Sequence, residues 1–466
     1  MSSFIKGDST QKAKMSLGIA HAAPIDPATE SASPFPAGGS DVMAWFWSLP
    51  LFQKVLLLAG GFLFAGPFGT NKILVVSDLF VGDGILLPAA FLYLLVVKSS
   101  AGVRRELFGG LKGLSFIVLF LLFLLGIVTT KWDFIAPFTD LRCASLVLSF
   151  YYLCSSKDET IRVNAVYSAL IMTIISLLSN AVFYQLFPDD DGNVKNYYPS
   201  YGLFLLAIVA VYEKKPFIAI LGFILSVYIA ATSFYRSLMF VPIIFFLILV
   251  ANFFRDIRQR EKSSHRNALI IGSFFLAGIL SSGFLANRIV ENFNSNEGTV
   301  EQGVTKMNNL IGIFQGKGLG EGDDLRAEYL TFLGSHLFSF IVPSGFGHKV
   351  LIGHWGPAWT EDSLDENGSN SLDGMHLFFA CHFGLLLSIL ILGRVFVNLS
   401  NALLQTRGGQ FGLRLLILSF IFADSLVTAS AFELISNAVF CGATIGCLSF
   451  VRSVPKGLPL SRSSPA

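Results

Sequence analysis

Apolar runs long enough to cross a lipid bilayer recur along almost the whole chain, and they limit its fold more than any other feature. About twenty apolar residues in a helix cross the ~30 Å hydrocarbon core of a membrane. Because backbone polar groups cannot stay unpaired in lipid, such runs must form helices or a closed barrel. The runs are continuous rather than alternating, which favours helices. Charged residues make up only 14% of the chain, against about 25% in soluble proteins, so most of its surface is not expected to face water.

The sequence therefore predicts an all-α integral membrane protein with about twelve transmembrane helices and one large, partly helical external loop. The predicted spans are residues 51–70, 79–97, 113–130, 136–154, 164–186, 199–213, 216–233, 237–252, 268–285, 375–393, 411–429 and 431–450. The five cysteines lie in or beside these runs without a CxxC pair, so we expect small buried apolar side chains rather than disulfides or metal ligands.

Lysines and arginines in the short loops predict the orientation of the chain. With the N-terminus inside, the loops at residues 98–112 and 255–266 and the C-terminal tail are basic and cytoplasmic, whereas the opposite short loops carry few positive charges. The predicted regions are a flexible cytoplasmic tail (1–45), nine helices (46–285), the large loop outside the cytoplasm (286–374), three helices (375–450) and a second cytoplasmic tail (451–466).

Four elements lie on the external side in this topology. They are, in order, the turn SFYRS with Arg236, Arg326 early in the large loop, Gly-Phe-Gly at 345–347, and SLDGMHLFFACHFGLLLSILIL, in which Asp373 precedes Gly384 by eleven residues. In order and spacing this arrangement resembles the O-antigen polymerase and ligase family of membrane glycosyltransferases (Wzy and WaaL types). The resemblance covers roughly residues 200–395 by motif.

The resemblance implies a GT-C-like enzyme that transfers a glycan from an undecaprenyl-diphosphate carrier to an acceptor hydroxyl, without a metal or other cofactor. It implies Arg236 and Arg326 as diphosphate ligands, since the planar donors of arginine match phosphate oxygens. Asp373 and His376 are the candidate catalytic bases. The secondary candidates are His348, Lys349 and, from its charge inside the fourth predicted span, Arg142.

Each of these residues also has a purely structural interpretation. Arg236 suits an interfacial anchor at a helix end, and Arg326 has acidic neighbours with which to pair. Asp373 is a favourable N-cap for the helix predicted from residue 375. Asp140 and Arg142 are functional candidates as charges near the membrane interior, or they neutralise each other or pair with neighbouring helices.

The favoured function is a polysaccharide polymerase of the bacterial inner membrane with a periplasmic loop, both implied by the resemblance. A ligase that moves a finished glycan onto lipid A core or protein is the alternative. It is less favoured because Asp373-Gly374 stands where ligases of the family typically carry His-Asn. A transporter or flippase is a further alternative, disfavoured by the large external loop. The expected partners are undecaprenyl-diphosphate-linked oligosaccharide, membrane lipid, and a chain-length regulator and flippase of the same pathway, with no nucleic acid.

Overall fold

The computed structural model describes the chain in stretches that include most of the predicted spans. These are residues 42–64, 75–76, 79–80, 101–130, 132, 134–186, 200–213, 216–232, 241–258, 341–347, 375–404, 409–427 and 435–450. All of them belong to one compact unit, Ala32–Ala466. The predicted span 268–285 lies outside the described residues.

The described stretches are almost entirely helical. The helices are α1 (Val42–Ser48), α2 (Leu51–Ala59), α3 (Ala101–Phe108), α4 (Leu111–Thr129), α5 (Ile135–Cys154), α6 (Glu159–Leu186), α7 (Ser200–Glu213), α8 (Pro216–Thr232), α9 (Val241–Arg258), α10 (Met375–Phe383), α11 (Leu385–Leu404), α12 (Gly409–Val427) and α13 (Ile435–Ser449). A π-helix, Gly60–Phe64, continues α2, and two short antiparallel strands pair with each other, β1 (Val75–Val76) and β2 (Leu79–Phe80).

Most of the apolar runs that the structure describes form helices, as predicted. For example, α4 and α5 match the predicted spans 113–130 and 136–154 to within two residues. Among the described residues, three stretches are long and apolar enough to cross a membrane: Leu111–Thr129, Glu159–Val182 and Leu385–Leu404. Large apolar side chains on α4 and α11 remain exposed on the protein surface, an arrangement that suits contact with lipid. The chain is thus an α-helical, membrane-associated protein.

Two predicted spans were wrong in part. Residues 375–393 do not form one helix, because α10 and α11 are separated at Gly384, where φ is +74°. The break comes from a tertiary contact, since a Cβ on Gly384 would lie only 2.7 Å from the nitrogen of Pro343. The span predicted at 79–97 does not begin as a helix, because its first two residues form β2 and pair with the β-branched residues of β1.

Helix α5 runs parallel to both α13 and α11. Gly442 and Gly446 of α13 meet α5 at Val147 and Tyr151, and a Cβ on Gly446 would lie 2.8 Å from the carbonyl oxygen of Tyr151. This G-x-x-x-G spacing places both glycines on one helix face and lets the two backbones approach closely. Near the end of α11, Asn398 donates a hydrogen bond to the Tyr151 hydroxyl over 2.8 Å.

Helices α4 and α6 run antiparallel to these three. Ser115 near the start of α4 is 2.7 Å from the hydroxyl of Tyr152 near the end of α5. Arg162 near the start of α6 lies 3.9 Å from the ring centre of Phe450, directly after α13. We call this side of the bundle, where α4 and α6 start and α5, α11 and α13 end, the basic end. Its positive side chains include Lys112, Lys157 and Arg162.

Helix α2 runs parallel to α6. Trp45 of α1 donates a hydrogen bond to Asn164 near the start of α6, and Gly60 and Gly61, which follow α2, lie against Met172 and Ile175 further along α6. Since α4 and α6 are both antiparallel to α5, α2 and α4 also share one direction.

Candidate functional site

Residues 343–347, which we call the glycine turn, connect part of the predicted large loop to the end of α10. The backbone N–H of Ser344 donates to the carbonyl of Cys381 over 3.3 Å, and that of Gly345 donates to the carbonyl of His382 over 3.2 Å. The last four backbone carbonyls of a helix accept no hydrogen bond from the helix itself. Because α10 ends directly after these residues, its final carbonyls are free to bind the turn.

The opposite side of the glycine turn contacts α4. The N–H of Phe346 donates to the carbonyl of Leu122 over 3.1 Å. The hydroxyl of Thr129 donates to the carbonyl of Ser344 over 2.9 Å. The turn therefore lies between the end of α4 and the end of α10, with its backbone polar groups paired to both, as burial requires.

Glycine is required where the turn crosses α4. Gly345 has a φ of +86°, and a Cβ there would lie 2.8 Å from the Cα of Gly126. A Cβ on Gly126 would in turn overlap the backbone of Phe346. The two backbones are thus in direct contact, and neither position has room for a side chain.

Phe346 is the apolar anchor of the turn. Its side chain is fully buried and packs edge-to-face on Phe383, with 5.4 Å between ring centres. Burying an aromatic ring of this size contributes substantially to the stability of a packed segment. The hydrophobic side chain and the paired backbone together fix the position of the turn.

Asp140, near the start of α5, holds the last residue of the turn. Its Oδ2 accepts a hydrogen bond from the backbone N–H of Gly347 over 2.7 Å. The side chain is buried, where an unpaired carboxyl group would be strongly unfavourable. Asp140 was weighed from the sequence as a membrane charge, but its contact with a residue more than two hundred positions away was not foreseen.

His382, in the last turn of α10, holds the other glycine of the turn. Its Nδ1 is 2.9 Å from the carbonyl oxygen of Gly345 and 3.9 Å from Oδ2 of Asp140. Because a carbonyl oxygen can only accept, Nδ1 must carry the proton, which leaves Nε2 as an acceptor in the neutral ring. Nε2 is buried and has no hydrogen-bond partner among the described residues.

Arg142 is the one predicted site residue whose side chain the structure describes. It is 2% exposed, in the first third of α5. Residues two apart on a helix point in different directions. Consistent with this, Asp140 bonds the glycine turn and faces His382.

The other predicted residues are not placed by the structure. Arg236, Arg326, His348, Lys349 and Asp373 lie outside the described residues. For His376 only the backbone is described, in the first turn of α10. The structure thus neither brings the two arginines together nor separates them.

His382 was missed by the sequence analysis. It lies inside an apolar run that was interpreted as one uninterrupted span, so it had no visible polar neighbours. The available signal was the sequence His-Phe-Gly, in which a glycine follows a histidine by two positions within an apolar run. In the described residues, no three His, Cys, Asp or Glu side chains lie close enough to hold a metal ion.

No family model, curated protein or solved structure matches this chain. The fold and the site define a class, an α-helical membrane-associated protein with a loop segment packed into its helices. A more specific function rests on the chemistry of this chain's own residues.

Proposed function

We propose that this chain is a membrane polysaccharide polymerase, which joins undecaprenyl-diphosphate-linked repeat units outside the cytoplasm. The observation that carries the proposal is the contact between the third and fourth elements of the family resemblance. Gly345-Phe346-Gly347 lies directly against the segment that contains His382 and Gly384. Two motifs that the sequence separates by a long segment therefore meet at one place, as parts of one active site should.

The distribution of charge supports the proposed orientation. The glycine turn and Asp140 lie where α4 ends and α5 starts, opposite the basic end of these helices. Positive charge in short loops and helix ends favours the cytoplasmic side. The proposal therefore places the basic end in the cytoplasm, the glycine turn on the periplasmic side, and both termini in the cytoplasm of a bacterial inner membrane.

The directions of the helices support the proposed count of twelve spans. Because α2 and α4 run parallel, an odd number of crossings must separate them if both cross the membrane, which agrees with the prediction of one span between them. Helices α6 and α11 run in opposite directions, so an even number must separate them. If α7, α8 and α9 each cross once, one further crossing is required between α9 and α11, which agrees with the prediction of a span at 268–285.

In the proposed reaction, the acceptor hydroxyl attacks the anomeric carbon of the lipid-linked glycan. The new glycosidic C–O bond forms, the bond to the diphosphate breaks, and the lipid diphosphate leaves with the bonding electron pair. Arg236 and Arg326 stabilise the charge on the leaving diphosphate. Asp373 or His376 accepts the proton of the hydroxyl. Arg142, His348 and Lys349 are secondary candidates for contacts with the phosphate or the acceptor.

Deletion of the gene in its host tests the proposed function. Loss of a polymerase leaves surface glycans capped with a single repeat unit. Loss of a ligase instead leaves full-length polymer on the lipid carrier, and loss of a flippase leaves single lipid-linked units on the cytoplasmic side. Either of the last two phenotypes contradicts the proposal.

Complementation with arginine variants tests the proposed diphosphate ligands. Arg236→Ala and Arg326→Ala should each abolish long-chain glycan, and the lysine variants should restore it only in part, because lysine lacks the planar pair of donors. Arg104→Ala and Arg105→Ala are matched controls, since both side chains are exposed on α3 away from the glycine turn. All variants must insert at wild-type level, as measured by immunoblotting of membranes.

A further inference from the structure

Two neighbouring tyrosines near the end of α5 join polar groups of α4 and α11 at the basic end of the bundle. The hydroxyl of Tyr152 is 2.7 Å from that of Ser115, and the ammonium group of Lys112 lies 5.3 Å from the centre of the Tyr152 ring. On the other side, Asn398 donates to the hydroxyl of Tyr151 over 2.8 Å. The two tyrosine rings are 5.5 Å apart, so these contacts form one continuous polar cluster.

Arg394 of α11 adds a second cation to this cluster. It lies four residues before Asn398, so the two side chains are neighbours on the helix surface, and its positive charge acts on the hydroxyl of Tyr152. Arg394 is exposed between the exposed apolar side chains of Leu390 and Phe396. In the part of the chain that the structure describes, no carboxylate forms an ion pair with it. A cation on a lipid-facing surface is unfavourable unless it reaches the headgroups or a counter-ion.

Tyr151 supplies a hydrogen-bond donor next to these cations. Its oxygen accepts from Asn398, which leaves its own O–H able to donate to a ligand. Lys112 pairs with Glu106 but stays partly exposed, and its ammonium group has further hydrogens to donate. Lys112, Arg394 and Glu106 are two cations and one anion, so together they carry one net positive charge. This charge complements a phosphodiester, which carries one negative charge.

Exposed apolar side chains lead away from the cluster along both flanking helices, towards the opposite end of the bundle. On α4 they include Leu114 and Leu121, and on α11 they include Leu386 and Leu390. A ligand that contacts both kinds of surface has a phosphate at one end and long apolar chains at the other. A glycerophospholipid has this structure, whereas a free anion would leave the apolar surfaces unused.

We propose that Lys112, Tyr151 and Arg394 bind the phosphate of an anionic glycerophospholipid at the basic end. The guanidinium and ammonium groups and the tyrosine O–H donate to the phosphate oxygens, and the acyl chains lie along α4 and α11. A zwitterionic headgroup binds less well, because its own positive charge meets the two cations. The site lies at the end of α5 opposite the glycine turn and does not depend on the proposed glycosyl transfer.

Native mass spectrometry of the purified full-length protein in non-ionic detergent tests the site. The probes are phosphatidylglycerol and phosphatidylcholine with identical acyl chains, and wild-type protein should bind phosphatidylglycerol at least about fivefold more tightly. Arg394→Gln should weaken phosphatidylglycerol binding about fivefold, and Lys112→Gln at least as much, because Glu106 then loses its partner. Tyr151→Phe keeps the ring but removes the donor, and should weaken binding at least about threefold.

Lys157→Gln is the matched control, since Lys157 is exposed at the same end but lies in the loop after α5, outside the cluster. It should bind phosphatidylglycerol within about twofold of wild type. Every variant must unfold at the wild-type temperature in the absence of added lipid.

Equal wild-type affinity for the two lipids overturns the proposal, as does wild-type affinity in Arg394→Gln or in Tyr151→Phe. An equal loss in Lys157→Gln and Arg394→Gln also overturns it, because that result shows attraction to general surface charge. Displacement of phosphatidylglycerol by inorganic phosphate would identify a site for the free anion and would equally contradict a phospholipid site.

Discussion

Replacement of Gly345 by alanine tests most stringently how the glycine turn packs against α4. The residue has a φ of +86°, and an added Cβ would lie 2.8 Å from the Cα of Gly126 and 2.9 Å from the carbonyl oxygen of Leu122. These neighbours are backbone atoms of a helix, so they cannot rotate away as a side chain would. The substitution must therefore strain the turn or separate it from α4.

The expected loss of stability follows from these two effects. A non-glycine residue in the left-handed region is unfavourable by about 1–2 kcal/mol, and overpacking against a well-packed surface adds about 1–3 kcal/mol. Gly345→Ala should thus destabilise the protein by roughly 2–5 kcal/mol. An upper limit is the free energy with which the turn itself binds the bundle, because the turn can detach instead.

Equilibrium unfolding in mixed detergent and SDS micelles measures the effect, with two matched glycine controls. Gly110 has a φ of +58° and a ψ of −130° but nothing within 4 Å of an added Cβ, so Gly110→Ala should show the backbone strain alone, about 1–3 kcal/mol. Gly393 lies within α11 with open space around it, so Gly393→Ala should be neutral or stabilising by up to about 1 kcal/mol. If Gly345→Ala unfolds like Gly393→Ala, the turn does not pack on α4 as described.

Three further results are expected. Phe346→Ala should lower the free energy of unfolding by about 3–5 kcal/mol, measured in the same micelles, because its ring is fully buried; a change below 1 kcal/mol contradicts this packing. Gly446→Ile should reduce the amount of folded protein in membranes, because a Cβ at this position already crowds Tyr151, whereas Gly393→Ile should not. Equal amounts of detergent-resistant protein in the two variants would contradict the contact between α5 and α13. The five native cysteines should resist maleimide in the folded protein and react in SDS, and rapid labelling without SDS would show that they are not buried.

The helices follow from the sequence because their cause is local. Apolar runs such as 113–130 and 136–154 must satisfy their backbone hydrogen bonds internally in lipid, and the structure forms α4 and α5 there. The cysteines were also predicted correctly as buried. Both predictions depend only on the hydrophobic character of short stretches.

The break at Gly384 and the role of His382 depend instead on distant residues. The run from Phe378 to Leu392 stays largely apolar across the break, so hydrophobicity gives no sign of it. The break follows from contact with Pro343 and from the hydrogen bonds that the glycine turn makes to α10. A sequence pattern contains no distance between residues 140, 345 and 382, and for this reason the contacts of Asp140 and His382 with the glycine turn became visible only in three dimensions.

The central claim is that two arginines on the periplasmic side bind the diphosphate of a lipid-linked glycan during polymerisation. Purified protein in nanodiscs, supplied with the undecaprenyl-diphosphate-linked repeat unit of its host, tests this claim directly. We predict a ladder of products that differ by one repeat unit, which disappears with Arg236→Ala and with Arg326→Ala and persists with Arg104→Ala. A wild-type protein that forms no ladder, or arginine variants that form the wild-type ladder, would contradict the account.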